Sequence, residues 1–161
     1  MTFSLPRRGR ARVRVLQPHK CRTIKPMKKN LYPAHAPCPC DSGQPYAECC
    51  SPWHKGMDTG SYAPTSEALM RSRYSGYVLG LLDYLLFTWH PSTAPGDLEL
   101  QPVKWLGLEV RSAIEAGDAG IVEFVARCRD GGKAQRMHET SRFVRQDGRW
   151  YYIDGEMHGA E

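Results

Sequence analysis

The sequence predicts an α+β fold: a curved four-stranded antiparallel sheet with two to three helices on its concave face, preceded by a small zinc module. Three observations carry this. Cys38, Cys40, Cys49 and Cys50 are packed into 13 consecutive residues. Apolar residues then recur at steps of three and four between positions 66 and 89. Beyond position 103 they recur at every second position, in runs separated by glycine-rich turns.

Residues 1–36 read as a disordered basic tail, with Pro6, Pro18, Pro26 and Pro33 and little apolar periodicity. The whole chain of 161 residues has 22 Lys and Arg against 17 Asp and Glu, a formal charge of +5. Ten of the basic residues, Arg7 to Lys29, lie in the first 40 positions, where there is no acid; residues 41–161 therefore sum to −5. The basic balance belongs to the tail and does not mark the folded part as a nucleic-acid binder. A basic arm touching RNA or a ribosome is one partner reading for it. Met27, just before Lys28 and Lys29, is an alternative first residue, and Cys21 is a bystander in the tail. No stretch approaches the roughly 18–20 apolar residues of a membrane span, and no apolar signal core follows the first arginines, so the cytoplasm is the default expectation.

Residues 37–56 form the cysteine module, CPCDSGQPYAECCSPWHKG and its flank. One residue separates Cys38 from Cys40, and eight separate Cys40 from the Cys49–Cys50 doublet. Ser42-Gly43 supplies a reversal, so a turn bearing two thiols can face a helix start bearing two more. That is a tetrahedral four-thiolate set for zinc, and iron also suits it. Adjacent thiols at this density, without a secretion signal, favour metal over disulfides. His54, four residues after Cys50, is an alternative fourth ligand. So short a loop buries too little surface to fold without metal; chelation is expected to melt residues 37–56 locally and leave the rest folded.

A linker with breakers Gly60 and Pro64 follows. Thr65 and Ser66 are good helix caps and Glu67 suits a first turn. Met70, Tyr74, Tyr77, Val78, Leu81, Leu85 and Trp89 mark the helical stripe. Gly80 divides it into helices near 66–79 and 81–89, and Pro91 ends the second. Strands are expected over Trp105–Glu115, around Val122–Cys128, around Met137–Phe143 and over Trp150–Asp154, with turns at Gly117–Gly120, Asp130–Gly132 and Asp147–Gly148. Cys128 alternates with the apolar face of its strand and reads as core.

The cysteine segment, C-P-C-x-S-G-x-x-Y-x-x-C-C, resembles the SEC-C motif, a small zinc module. Cys38, Cys40, Cys49 and Cys50 fall on its ligand positions and Ser42, Gly43 and Tyr46 on its loop. APTSEALMRSRYSGYV (63–78), DYLLFTWHP (83–91), WLGLEV (105–110) and SRFVRQDGRWYYIDG (141–155) look like the YchJ family of bacterial proteins. That resemblance implies a nuclear-transport-factor-2-like domain over 63–157, a cone built from a curved sheet and helices. SEC-C loops are often lysine-rich. Here the corresponding positions are Asp41, Gln44, Pro45, Ala47 and Glu48, which do not favour docking on an acidic partner.

Polar residues on inward-facing positions define a candidate pocket: Arg71 and Arg73 on the first helix, His90 at the end of the second, Glu139 and Asp154 on the last two strands. A buried carboxylate beside an arginine can bind a polar ligand or act as a base; the bland alternative is an ion pair between Glu139 and Arg71 or Arg73 that fixes the fold. No phosphate-cradling glycine loop, nucleotide fingerprint or nucleophile–base set is present. The sequence therefore favours a non-catalytic adaptor that meets a protein partner through its zinc module. The alternatives are a small-molecule binder or enzyme using the cone, and RNA or ribosome association through the tail.

Overall fold

The computed structural model describes residues 32–159. The first 31 residues of the basic tail, with Cys21 and Met27, lie outside that range. After a short 3-10 turn at Tyr46–Glu48 come helices α1 (Ser51–His54), α2 (Gly56–Thr59), α3 (Ser66–Leu79) and α4 (Leu82–Phe87). Strands β1 (Lys104–Ala116), β2 (Ala119–Asp130), β3 (Lys133–Gln146) and β4 (Arg149–Met157) then pair antiparallel in the order β1-β2-β3-β4.

Local chemistry sets the boundaries. The Thr65 hydroxyl accepts the Ala68 N–H at 3.0 Å, capping α3. Glu115 of β1 adds a second cap, its Oε1 accepting the N–H and hydroxyl of Ser66 at 2.6 and 2.8 Å. Gly80 closes α3 in the left-handed conformation, at φ 70°. The hairpin turns at Gly131-Gly132 and Asp147-Gly148 both need two successive positive φ angles, which is the twist two-residue hairpins require. The second helix stops at Phe87, short of the expected Trp89. Thr88–His90 instead run beside β4: His90 N–H donates to the Tyr152 carbonyl at 2.7 Å and Tyr152 N–H to that of Thr88 at 2.9 Å. Backbone bonds to a strand edge outcompete another helical turn and cover that edge.

The helices pack on one face of the sheet. Leu69, Met70 and Tyr74 of α3 meet Leu108, Val122, Phe124, Phe143 and Trp150, all buried. Three bulges keep this face apolar despite the long strands: Leu106 and Arg111 in β1 and Ile153 in β4 are extra residues. Each resets the alternation by one residue and bends its strand. Leu106 turns outward, 45% exposed, so that Trp105 and Leu108 both face inward.

Candidate metal centre

The cysteine loop is a tight reversal. Asp41 and Gly43 have φ of 55° and 78°. The Cys38 N–H donates to the Gln44 carbonyl at 2.8 Å, and Pro37 and Pro45 form an antiparallel bridge. Cys50 stands at the N-cap position of α1, so two thiols come from a turn and two from a helix start. Residues before 37 take part as well: the Tyr46 N–H bonds to Ala36 and that of Ala47 to Ala34, both at 2.9 Å, and the Tyr32 ring meets Tyr46 edge-on.

The four sulfurs of Cys38, Cys40, Cys49 and Cys50 lie within 4.8 Å of one another. Cys40 and Cys49 are 3.5 Å apart, Cys49 and Cys50 3.8 Å. A zinc tetrahedron with Zn–S bonds of about 2.3 Å has edges of about 3.8 Å, so the set needs only small adjustments to close on an ion. All four are free thiols. Cys38, Cys40 and Cys50 are 3%, 0% and 1% exposed, while Cys49 is half-buried and takes a contact from the Ser42 hydroxyl at 3.1 Å. Hydrogen bonds from Cys38 and Cys50 hold the Cys40 thiol far below its ordinary range, and donation to Cys38 and Cys40 pushes Cys50 far up. Burial raises Cys49 to about 11. A soft dication would let all four sulfurs become thiolates. Four protein donors complete a tetrahedron and leave no position for substrate, the mark of a structural site.

His54, the alternative fourth ligand, lies outside the four-sulfur group. Its Nε2–H donates to the Ser72 carbonyl at 2.8 Å and its Nδ1 accepts from the Tyr46 hydroxyl at 2.7 Å. The ring thus ties the loop to α3, and burial lowers its pKa. The module does not stand apart from the domain either. Its three buried cysteines belong to the same core as Leu69, Tyr74 and Phe124. The Asp41 carboxylate accepts the Leu108 N–H at 3.0 Å beside the β1 bulge, and Ser75 of α3 lies 3.7 and 3.4 Å from the sulfurs of Cys38 and Cys50. Independent melting of residues 37–56, expected from the sequence, does not suit a shared core.

Of the five pocket candidates only Arg73 and Glu139 share a neighbour, Tyr152. Arg71 pairs with Glu67 at 2.8 Å and donates to the Cys40 carbonyl at 3.2 Å, so it serves the cysteine loop. His90 lies at the rim with Ser92 and Gln146. Asp154 pairs with Arg142 on the outer face; the Ile153 bulge, invisible as a period-two pattern, turned it away from Trp150 and Tyr152. Glu139 does face inward, but the expected ion pair with Arg71 or Arg73 is absent. Its Oε1 accepts instead from the Ser141 hydroxyl at 2.6 Å and the Tyr152 hydroxyl at 3.3 Å. Gly155 leaves it room: a Cβ there would stand 2.0 Å from that oxygen. Two neutral donors hold one carboxylate oxygen, and the Arg73 charge acts on the group from nearby without a direct ion pair. A cavity beneath α4, between Leu69, Tyr84, Phe87 and Trp150, measures about 10 Å³, enough for one water.

Burial raises the Glu139 pKa above 4.5, against the lowering pull of Ser141 and Tyr152. The folded state therefore holds this proton longer than the unfolded state, and stability falls as pH rises from 4.5 to the folded value. Glu139→Gln keeps an acceptor for both hydroxyls and removes that penalty. It is expected to match the parent at pH 4 and to exceed it at pH 8. Denaturant titrations at the two pH values check this; a variant less stable at pH 8 than the parent contradicts it.

Comparison with known proteins gives the same two parts in the same order. Residues 36–52 match the family model of the SEC-C motif, and residues 65–155 that of the YchJ middle NTF2-like domain. A UPF0225 protein of Chromobacterium violaceum is 60% identical over 135 residues, covering 79% of this chain and 97% of the relative. A UPF0225 protein of Bordetella pertussis is 51% identical over 134 residues, covering 81% and 99%. Among solved structures, a SEC-C motif containing protein from Rhodopseudomonas palustris superposes with a TM-score of 0.66 at 36% identity, over 77% of this chain and all of that one. One from Psychrobacter arcticus gives 0.66 at 27% identity, over 80% and 86%.

Proposed function

The chain belongs to the YchJ family of UPF0225 proteins, and from that premise we propose that it is a zinc-stabilised, non-catalytic adaptor whose SEC-C loop is the contact surface. The observation that carries this is the four-sulfur cluster, the one set of metal-ligating side chains among the described residues whose donor atoms converge. The closed four-donor set is that of a structural metal, the role zinc fills, and its four thiolates accept iron as well. The same metal fixes the backbone of an exposed loop. Asp41, Gly43, Gln44, Ala47 and Glu48 face solvent around the buried sulfurs, a rigid polar surface of the kind an interaction module presents. The scatter of the pocket candidates and the water-sized cavity under α4 weigh against the cone as a small-molecule site. The RNA or ribosome reading rests on the charge of the tail alone.

The test is affinity capture from the native cell with three baits: the parent, Cys49→Ser, and the exposed pair Gln44→Ala with Glu48→Ala. The double variant is expected to keep the parent's metal content and melting point and to lose the partner; Cys49→Ser loses both. Identical captures from all three baits, or none from the parent, would sink the adaptor reading.

A further inference from the structure

Ser75 sits in the middle of α3 and is 0% exposed. A buried helical serine ordinarily returns its hydroxyl to a carbonyl one turn earlier. Ser72, three residues before it and equally buried, does this: its hydroxyl donates to the Leu69 carbonyl at 2.9 Å and also meets the Tyr84 hydroxyl at 2.7 Å. Ser75 makes no such bond. Its hydroxyl partners are sulfurs: Cys50 at 3.4 Å and Cys38 at 3.7 Å.

The direction of this contact follows from the chemistry of the filled site. Four thiolates around a divalent cation carry two surplus negative charges and no thiol proton. A hydroxyl beside them can only donate. The surplus charge lies in a buried core, where each donor to sulfur matters more than it would in water. Cys49, the half-buried ligand, has Ser42 from its own loop. The buried pair Cys38 and Cys50 has Ser75, which the loop does not supply.

We infer that Ser75 is an outer-shell determinant of the metal centre: its hydroxyl donates to the buried thiolates and makes metal affinity depend on α3. This rests on the metal-binding reading above. The donor to the site is carried by the cone domain, so α3 must be folded in place for the ion to be held at full strength. By linkage the ion stabilises α3 in return.

The experiment uses the full chain, with metal binding measured by competition against a chromophoric chelator and by the thiolate-to-metal charge-transfer band after Co(II) substitution. Ser75→Ala removes the donor with almost no change of volume. It is expected to weaken binding about 10- to 100-fold, the usual cost of losing an outer-shell partner, and to move the band to lower energy, because an unbonded thiolate gives up its electron more readily. Ser72→Ala, which loses bonds that do not touch sulfur, is expected to lower the melting point and leave affinity and band in place. If Ser75→Ala accumulates unfolded, Ser75→Thr decides: the hydroxyl is kept, and parent-like band position and affinity are expected. An unshifted band with affinity within twofold of the parent in Ser75→Ala overturns the inference, and so does equal loss of metal in the Ala and Thr variants. A parent chain that binds no metal would fail the metal reading itself, a different result from either.

Discussion

Stripping the metal with a strong chelator is expected to lower the melting midpoint of the whole folded domain by 10 °C or more, in one transition. Zinc bound to isolated zinc-finger peptides contributes on the order of 10–16 kcal/mol, and part of that is the folding energy of the loop itself. Here the loop shares its core with α3 and the sheet. Cys38, Cys40 and Cys50 cluster with Leu69, Met70, Tyr74 and Phe124. Asp41 is bonded to β1, and Arg71 of α3 to the Cys40 carbonyl. Loosening the loop uncovers that part of α3, so the cone loses several kcal/mol as well. A domain of this size moves by about 2–8 °C per kcal/mol. Calorimetry with and without chelator measures the effect, and backbone hydrogen exchange locates it. A cone midpoint unchanged by chelation, with exchange accelerated only in residues 37–56, would show two independent units.

Replacing Arg73 by alanine is expected to cost about 2–5 kcal/mol, the scale for truncating a large packed side chain and leaving its acceptor unpaired. Arg73 is 5% exposed and its guanidinium joins three elements. Its Nη1 donates to the Leu85 carbonyl at 2.7 Å and the Thr88 hydroxyl at 2.8 Å, where α4 ends. Its plane lies against the rings of Trp89 and Tyr152, 5.0 and 4.5 Å from their centroids. Carbonyl dipoles and ring faces stabilise the charge where a carboxylate was expected. Alanine would leave the Leu85 carbonyl without that donor and open a cavity beside the Trp89–Tyr152 pair. Arg73→Lys keeps the charge but neither the flat stacking surface nor the fork, and should fall between the two. Urea titration reads the three chains; an Arg73→Ala loss below 1 kcal/mol would mean that the stack relaxes around the gap.

Most of the fold was legible because the signals are local. Thr65 and Gly80 bound α3 where capping chemistry places them. Gly131-Gly132 and Asp147-Gly148 impose turns that need nothing from the rest of the chain. The period-two runs of β2 and β3 survive intact because neither strand carries a bulge residue. The candidate pocket was legible only in part. Glu139 lies on the inward phase as its neighbours Met137 and Ser141 require, yet which groups satisfy it depends on Tyr152, 13 residues away on a bulged strand.

The sequence by itself determined which four cysteines gather, because two thiols on a tight turn and a doublet at a helix start leave few other geometries. It also determined the meander and the two helices that cross it, since periodicity and turn residues act over a few positions. Tertiary structure alone decided where the charges and hydroxyls without a local partner go. The Ile153 bulge sent Asp154 outward to Arg142, the end of α4 gave Arg73 carbonyl and hydroxyl partners, and docking of the loop set Ser75 against two sulfurs. Apolar burial depends on which face a residue occupies, and period encodes that. A buried polar group depends on the one atom placed within about 3 Å of it, which long-range packing supplies and no local pattern records.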